Sequence, residues 1–324
     1  MRLPRRRFLL LAVGTAALPA VPLLAQSYPA RPVRVIVPFA PAGPTDVFAR
    51  LMAQKLSEQL GTQFYIENIA GAGGNIGTAR AAQSAPDGYT LLVNGANLVV
   101  NTALYHQLPY DPLKDFDPVT IAVTAPAVLT VHPSLPVATV SELVALIRSH
   151  PGRYSYASPG TGTPPHLVGE LFRLSLGLDL VHVPFNGGGL AIASALAGHT
   201  PISFGSMAPA VPLAQDGKLR ALAVASTRRS TALPETPTMA EAGYPDIIGE
   251  SWFTVVVPSG TPASIIALLH REISSLLAMP DIRDRLRALG YEPLGSTPER
   301  SSAQFKADMA RWGKVIREAG IKGE

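Results

Sequence analysis

The chain of 324 residues is 47% apolar and only 15% charged, with few aromatic residues and no cysteine; this excludes disorder, disulfides, zinc–thiolate and iron–sulfur sites, and thiol catalysis. The length suits one large domain or two medium ones. Four of its 27 basic residues, and none of its 23 acids, fall within positions 1–25, so the formal net charge of +4 belongs to that segment, the remainder is neutral, and nucleic acid is not an expected partner.

The first segment sets the destination. Arg2, Arg5, Arg6 and Arg7 precede an apolar run from Phe8 to Leu18, then small residues and proline. This is the pattern of a secretory signal peptide over 1–25, with cleavage expected after Ala25. The arginine cluster "RRRFLL" fits a twin-arginine leader as well as an ordinary Sec signal. No later stretch reaches the ~18 uninterrupted apolar residues that a membrane span needs.

From Val33 onward, β-branched runs alternate with helical stretches. "VRVIVPF" predicts a buried strand, and "TDVFARLMAQKLSEQL" a helix whose stripe is Val47, Leu51, Leu56 and Leu60. "QFYIEN" predicts a second strand, followed by a glycine turn and a helix from Ile76 to Ser84; "YTLLVNG" predicts a third strand. The proline-punctuated, extended stretch 110–133 is the candidate crossing segment. A second series follows: a helix capped at Thr139 or Ser141, the strand "YSYAS", the helix "HLVGELFRLSLG", the strand "DLVHVPF", a loop and helix from Asn186, and the strands "PISFGS" and "LRALAVAS". "SWFTVVVP" and two or three helices close the chain, the last near 297–318. Such alternation predicts an α/β fold of parallel sheet covered by helices. Two series joined by two crossings predict two lobes, 26–124 with 226–324 and 125–225, and a cleft at the carboxyl ends of the strands.

Four strand-to-helix loops lie at those ends: 39–46, 68–75, 157–166 and 184–189. They are rich in Gly, Pro, Ser, Thr and Asn; Asp46 and His166 are their only ionisable residues, and no Lys or Arg lies in any of them. A P-loop is absent, and Ile76 stands where a G-x-G-x-x-G motif needs its third glycine, so nucleotide cofactors are not expected. Helix starts can still hold a small anion, each favouring negative charge by about 0.3–1 kcal/mol. Several donors from two lobes would supply micromolar binding, about −8 kcal/mol, without a cationic side chain. The bland reading is that the glycines only permit tight turns, that Asp46 caps or braces its loop, and that His166 braces another. Ser158 and His166 suggest a hydrolase, but G-x-S-x-G is absent and no third partner is identifiable. The other histidines lack metal-ligand spacing, so neither a metal nor a cofactor is expected.

At these residues the chain resembles the Bug-type periplasmic receptors of tripartite tricarboxylate transporters. The phrases that carry the likeness are "VRVIVPFAPAGPTDVFARLMAQKL", "ENIAGAGGNIGTARAAQSAPDGYTLL", "YDPLKDFDPVTIA", "YASPGTGTPPHLVGELF", "HVPFNGGGLAIASALAG", "GKLRALAVASTRRSTALPETPTMAEAGYPD" and "WFTVVVPSGTP". They run from about Tyr28 to Ile321. The resemblance implies a type II periplasmic-binding-protein fold, a monomer with a hinged cleft, and capture of a di- or tricarboxylate or an aromatic acid for a membrane permease of that transporter type, where a cognate permease exists. It implies no enzyme; a sensory subunit sharing the same site is the alternative. The ligand contacts it implies are Ala42, Gly43, Thr45 and Asp46; Asn68, Gly71 and Gly74; Ser158, Thr161, Gly162, Thr163 and His166; and Phe185, Asn186 and Gly187. Many members have glycine where Ala42 stands. "ISFGS" ends in Gly205 and Ser206 where relatives carry an acid, which places Ser206 at the site and argues against an amino-acid ligand. "FNGGG" replaces a bulkier stretch and implies a looser fourth loop.

Overall fold

The computed structural model describes residues 28–322; the expected signal peptide lies outside them. The first series is β1 (Val33–Val37), α1 (Pro44–Leu60), β2 (Phe64–Asn68), a 3-10 turn (Ala72–Gly74), α2 (Asn75–Ala82), β3 (Thr90–Gly95) and α3 (Asn97–Leu104). A long strand, β4 (Phe116–Val131), leads to α4 (Val140–Ser149), β5 (Tyr154–Ser158), α5 (Pro164–Ser175), β6 (Leu180–Pro184), α6 (Gly188–Leu196), β7 (Ile202–Ser206), α7 (Met207–Gln215) and β8 (Arg220–Val224). The chain returns through β9 (Glu250–Pro258) to α8 (Ala263–Ala278), α9 (Pro280–Ala288), β10 (Glu292–Pro293) and α10 (Pro298–Ala319).

The strand order is β2-β1-β3-β9-β4-β7-β5-β6, with β8 and β10 on β4. Residues 116–126 of β4 pair with β9, whereas 127–131 pair with β7 and β8, so one strand serves both halves of the sheet. The β1–β2, β1–β3, β5–β6 and β5–β7 pairs are parallel, as helical crossovers require. The expectation of parallel sheet fails at the centre, where β3–β9, β4–β9, β4–β7 and β4–β8 are antiparallel. The reason is topological: β4 leaves the first half and β9 comes back to it, so each runs against its neighbours. Two further helices, α3 and α7, lie outside the expected alternation; both are short and begin directly after strand ends.

Each half is buried on both faces, and the period of two in its strands explains how. Val33, Val35 and Val37 face one core with Phe48, Met52 and Leu56 of α1 and Leu269 and Ile273 of α8. Ile36, Leu92 and Val256 face the other, with Leu98 and Val99 of α3 and Phe305 and Trp312 of α10. The second half repeats the arrangement: Leu129, Val131, Ile202 and Phe204 pack with Val144 and Phe172, while Val128 and Val224 pack with Ile192 and Val211 on the opposite side. Each such side chain contributes about 1.5–3 kcal/mol on burial, which makes two rigid platforms for the loops at their strand ends.

Caps fix where the helices begin. Thr139 accepts from the Glu142 amide and Thr163 from the His166 amide, with Pro164 in the first turn of α5. Gly77 is required for another reason. A Cβ there would lie 2.5 Å from the Ile69 carbonyl oxygen and 2.9 Å from Pro38 Cα, so α2 can approach the end of β1 only without a side chain.

Candidate ligand-binding site

The two halves face each other across a cleft, and five helices begin at one point in it. The N-cap residues of α1, α3, α5, α6 and α7 are Gly43, Ala96, Thr163, Gly187 and Ser206. All five line a single narrow cavity of about 40 Å³, together with Phe39, Pro44, Thr45, Gly95, Asn97, Pro159, Gly188, Ser251 and Phe253. That volume holds a few waters or one carboxylate group. It opens beside a chamber of about 420 Å³ lined by Phe39, Gly71, Gly74, Tyr105, Gly160, Thr161, Phe185, Asn186 and Leu190, among others. No lysine, arginine or histidine lines either space. The positive field there comes from the aligned peptide dipoles of all five helices and from the first-turn N–H groups of α1, α3, α6 and α7, since α5 opens with Pro164 and Pro165 and its His166 amide is capped by Thr163; the region is walled by proline and phenylalanine.

The structure brings many of the expected residues together. Gly43, Thr45, Thr163, Gly187 and Ser206 line the narrow cavity, and Gly71, Gly74, Thr161, Thr163, Phe185 and Asn186 line the chamber. Ala42, Asp46, Asn68, Ser158, Gly162 and His166 line neither. Their polar groups hold the loops instead. Asp46 is buried; its Oδ2 accepts from the Ala42 amide at 2.9 Å and from Arg50 Nε at 2.8 Å, and its Oδ1 accepts from Asn68 Nδ2 at 2.8 Å. Burial alone would raise this carboxyl, but the hydrogen bonds from Arg50, Asn68 and Ala42 outweigh it and hold Asp46 below the usual range. Asn68 also donates to the Phe39 carbonyl. Ala42 has φ +64°, the left-handed region, which is why glycine suits that position and why alanine carries a steric cost of about 1–2 kcal/mol there.

In the second half, Ser158 bonds not to His166 but to His182 Nε2, at 2.7 Å, and is fully buried. His166 Nδ1 accepts from the Gly162 amide at 2.9 Å. The pairing that suggested a hydrolase is therefore absent, and both side chains serve as loop braces.

Asn97 was not anticipated. The residue is 4% exposed, its Nδ2 has no protein partner, and it lines the narrow cavity at the first turn of α3. Ser251 and Phe253 enter from β9. The signal available in the sequence was "NGAN" after the third strand; a helix start there would have exposed Asn97 as a cavity donor. From behind, the buried Tyr291 hydroxyl donates to the Pro44 carbonyl at 2.7 Å and fixes the first turn of α1.

The two sheet halves meet closely. Gly188 approaches Pro44, with its virtual Cβ 3.3 Å from Pro44 Cδ, and a Cβ on Gly162 would fall 1.9 Å from Leu104 Cδ1. Two α/β halves joined by exchanged strands, with a closed cleft between them, are the architecture of a type II periplasmic binding protein. The comparisons with known proteins narrow this. Residues 48–321 match the model of the tripartite tricarboxylate transporter family receptor. Protein BugT of Bordetella pertussis is 39% identical over 312 residues, 96% of this chain and 95% of that one. Among solved structures, R. palustris Rpa4515 with adipate is similar at TM-score 0.89 and 35% identity, covering 91% of this chain and 99% of that chain. MatC from Rhodopseudomonas palustris with bound malate is similar at TM-score 0.83 and 34% identity, covering 89% and 100%. The chain belongs to the tripartite tricarboxylate transporter receptor family, whose members are solute-binding proteins rather than enzymes. Among the described residues no helix is long and apolar enough to cross a membrane.

Proposed function

We propose that the protein captures a small organic carboxylate in the cleft and delivers it to the permease subunits of a tripartite tricarboxylate-type transporter. The observation that carries this reading is the meeting of five helix N-termini at one cavity without a cationic side chain. A carboxylate group placed there accepts N–H bonds from Thr45 and the starts of α3, α6 and α7, together with the Ser206 hydroxyl and the Asn97 amide. Charge-assisted bonds of this kind are roughly twice as strong as neutral ones. The rest of the ligand occupies the chamber between Gly71–Gly74 and Phe185–Asn186. The adipate and malate in the two R. palustris structures support the chemical class.

In this reading 26–124 with 226–324 and 125–225 act as lobes, β4 and β9 provide the hinge, and the ligand bridges the closed state. The mature protein works as a monomer in the periplasm, exported by the signal at 1–25. Thermal-shift assays with a panel of mono-, di- and tricarboxylates test the reading. A ligand at 100 times its dissociation constant adds about 2.7 kcal/mol, a visible rise in Tm. No rise with any acid, and no small acid in mass spectra of the purified protein, would refute it.

A further inference from the structure

Behind the ligand chamber lies a second cavity of about 320 Å³, lined by Thr161, His166, Glu170, Arg173, His182, Pro184 and the 320–322 segment. Thr161 and Pro184 also line the chamber, so they form the wall between the two. The rings of His166 and His182 stack at 3.9 Å and 21°, and His182 lies against Tyr156 at 4.9 Å. This column holds the loop 159–163 at two points. His166 Nδ1 accepts from the Gly162 amide, so that nitrogen carries no proton; His182 Nε2 bonds to Ser158 Oγ, which in turn accepts from the Gly160 amide at 3.3 Å.

We propose that His166 and His182 are positioning residues of the ligand loop 159–163, and that proton uptake by this pair on acidification releases the loop and weakens ligand binding. The inference rests on the carboxylate-receptor reading for its consequence, but not for its mechanism. A proton on His166 Nδ1 abolishes the acceptor for Gly162 and turns a hydrogen bond into a clash of two donors. Two stacked imidazolium rings would also repel. The charged and titratable groups facing the pair are Glu170 and Arg173 from α5, Tyr156 from β5 and Lys322 beyond α10. Glu170 does not neutralise an imidazolium freely, because its carboxylate is already bound by Arg173 at 2.7 Å and by the Tyr156 hydroxyl at 2.7 Å. Burial, and then the neighbouring ring, push His166 down to about 3; burial pushes His182 down to about 4. The direction follows. With the loop docked, both rings stay neutral well below their ordinary value near 6.5; with the loop released, they take up protons from about pH 6.5 downward. Acidification through that window therefore favours release, by up to about tenfold per pH unit for each histidine freed. The back cavity gives protons a route that does not pass through the ligand.

The test compares the wild-type chain with the double variant His166→Asn/His182→Gln, whose amide oxygens keep hydrogen-bond acceptors near Gly162 and Ser158 but do not titrate. Adipate affinity of the wild type is expected to fall at least about fivefold more than that of the double variant between pH 7.5 and 5.5. Protonation of adipate itself is common to both and cancels. The second arm uses no ligand. In a ¹⁵N-labelled wild-type sample without ligand, the Gly162 amide should shift in step with His166 ring protonation, at a midpoint between about 5.5 and 6, below the ordinary 6.5. Rings that titrate near 6.5 with no response at Gly162 overturn the proposal whether or not adipate binds; equal pH slopes for the two proteins also overturn it. Absence of adipate binding at pH 7.5, with the Gly162 response intact, counts against the choice of ligand and leaves the loop mechanism standing.

Discussion

The two halves of the molecule aim loops at one cavity but brace them with different chemistry. In the first half, the loop 39–46 is held by a buried carboxylate, Asp46, with Arg50 and Asn68 around it. In the second, the loop 159–163 is held by two neutral imidazoles, one on an amide and one on a hydroxyl. An ion pair stays formed across the whole neutral and mildly acidic range. An imidazole brace is conditional on its proton. One half therefore offers a fixed surface and the other a surface whose order depends on conditions, though both present uncharged loops to the ligand.

The largest expected effect comes from spoiling what the halves share. Ser206→Asp places a carboxylate where five helices begin; like charges there cost several kcal/mol, so carboxylate affinity should fall roughly a hundredfold or more in calorimetry while the circular dichroism spectrum stays native. Unchanged affinity would mean that the convergence does not hold the anion. Next is the seam between halves. Gly162→Ala puts a Cβ 1.9 Å from Leu104 Cδ1 at φ +76°, so closure should be impeded, with affinity lowered on the order of tenfold to a hundredfold and a larger radius of gyration by X-ray scattering in the presence of ligand. A closed, compact variant would show that the seam yields more easily than its geometry implies.

The braces themselves separate the two halves. Asp46→Asn turns one of two accepting oxygens into an NH2 donor, so either Asn68, or Ala42 and Arg50 together, lose their acceptor, and the change should cost about 1–3 kcal/mol in urea unfolding. The pH signs differ too. Asp46 is held below its ordinary value, so its contribution is complete above about pH 4 and lost only as pH falls through the depressed value. The histidines are also held low, but from a reference near 6.5. The unfolded chain takes up their protons first, so stability falls as pH drops from about 6.5 toward the folded values near 4 and 3. Urea midpoints measured at pH 7.5, 5.5 and 4.5 should thus decline in the wild type and decline less in His182→Gln, whereas the Asp46→Asn difference should stay constant across that range; parallel declines in all three would erase the distinction. The smallest effect is expected at Asn97→Ala. Its Nδ2 has no protein partner, so stability should not fall, but ligand affinity should weaken about fivefold to tenfold, the value of one hydrogen bond of about 1–1.5 kcal/mol.

Much of this was legible in the chain. The alternation of Val33, Val35 and Val37 against Ile36 gives a strand buried on both faces, and Thr139 announces its helix, because pattern and capping are local matters. The long phrases from Tyr28 to Ile321 carried the family. Gly43, Thr45, Gly71, Gly74, Thr163, Gly187 and Ser206, which the resemblance implied as contacts, line the cavity or the chamber; composition alone left them as tight-turn residues equally well.

What the sequence could not supply is which side of each loop faces the cleft. Asp46, Asn68, Ser158 and His166 have the same composition and spacing as lining residues, yet all four point their polar atoms into the bracing behind the loops. His182, 16 positions beyond His166, becomes its stacking partner only because β6 pairs with β5 beneath α5. Asn97 reaches the cavity only because α3 starts at the end of β3 beside β9. Local pattern determined the strands, helices and junctions of this protein; the packing of one sheet half against the other decided which groups meet the ligand, because that depends on distances between residues far apart in the chain.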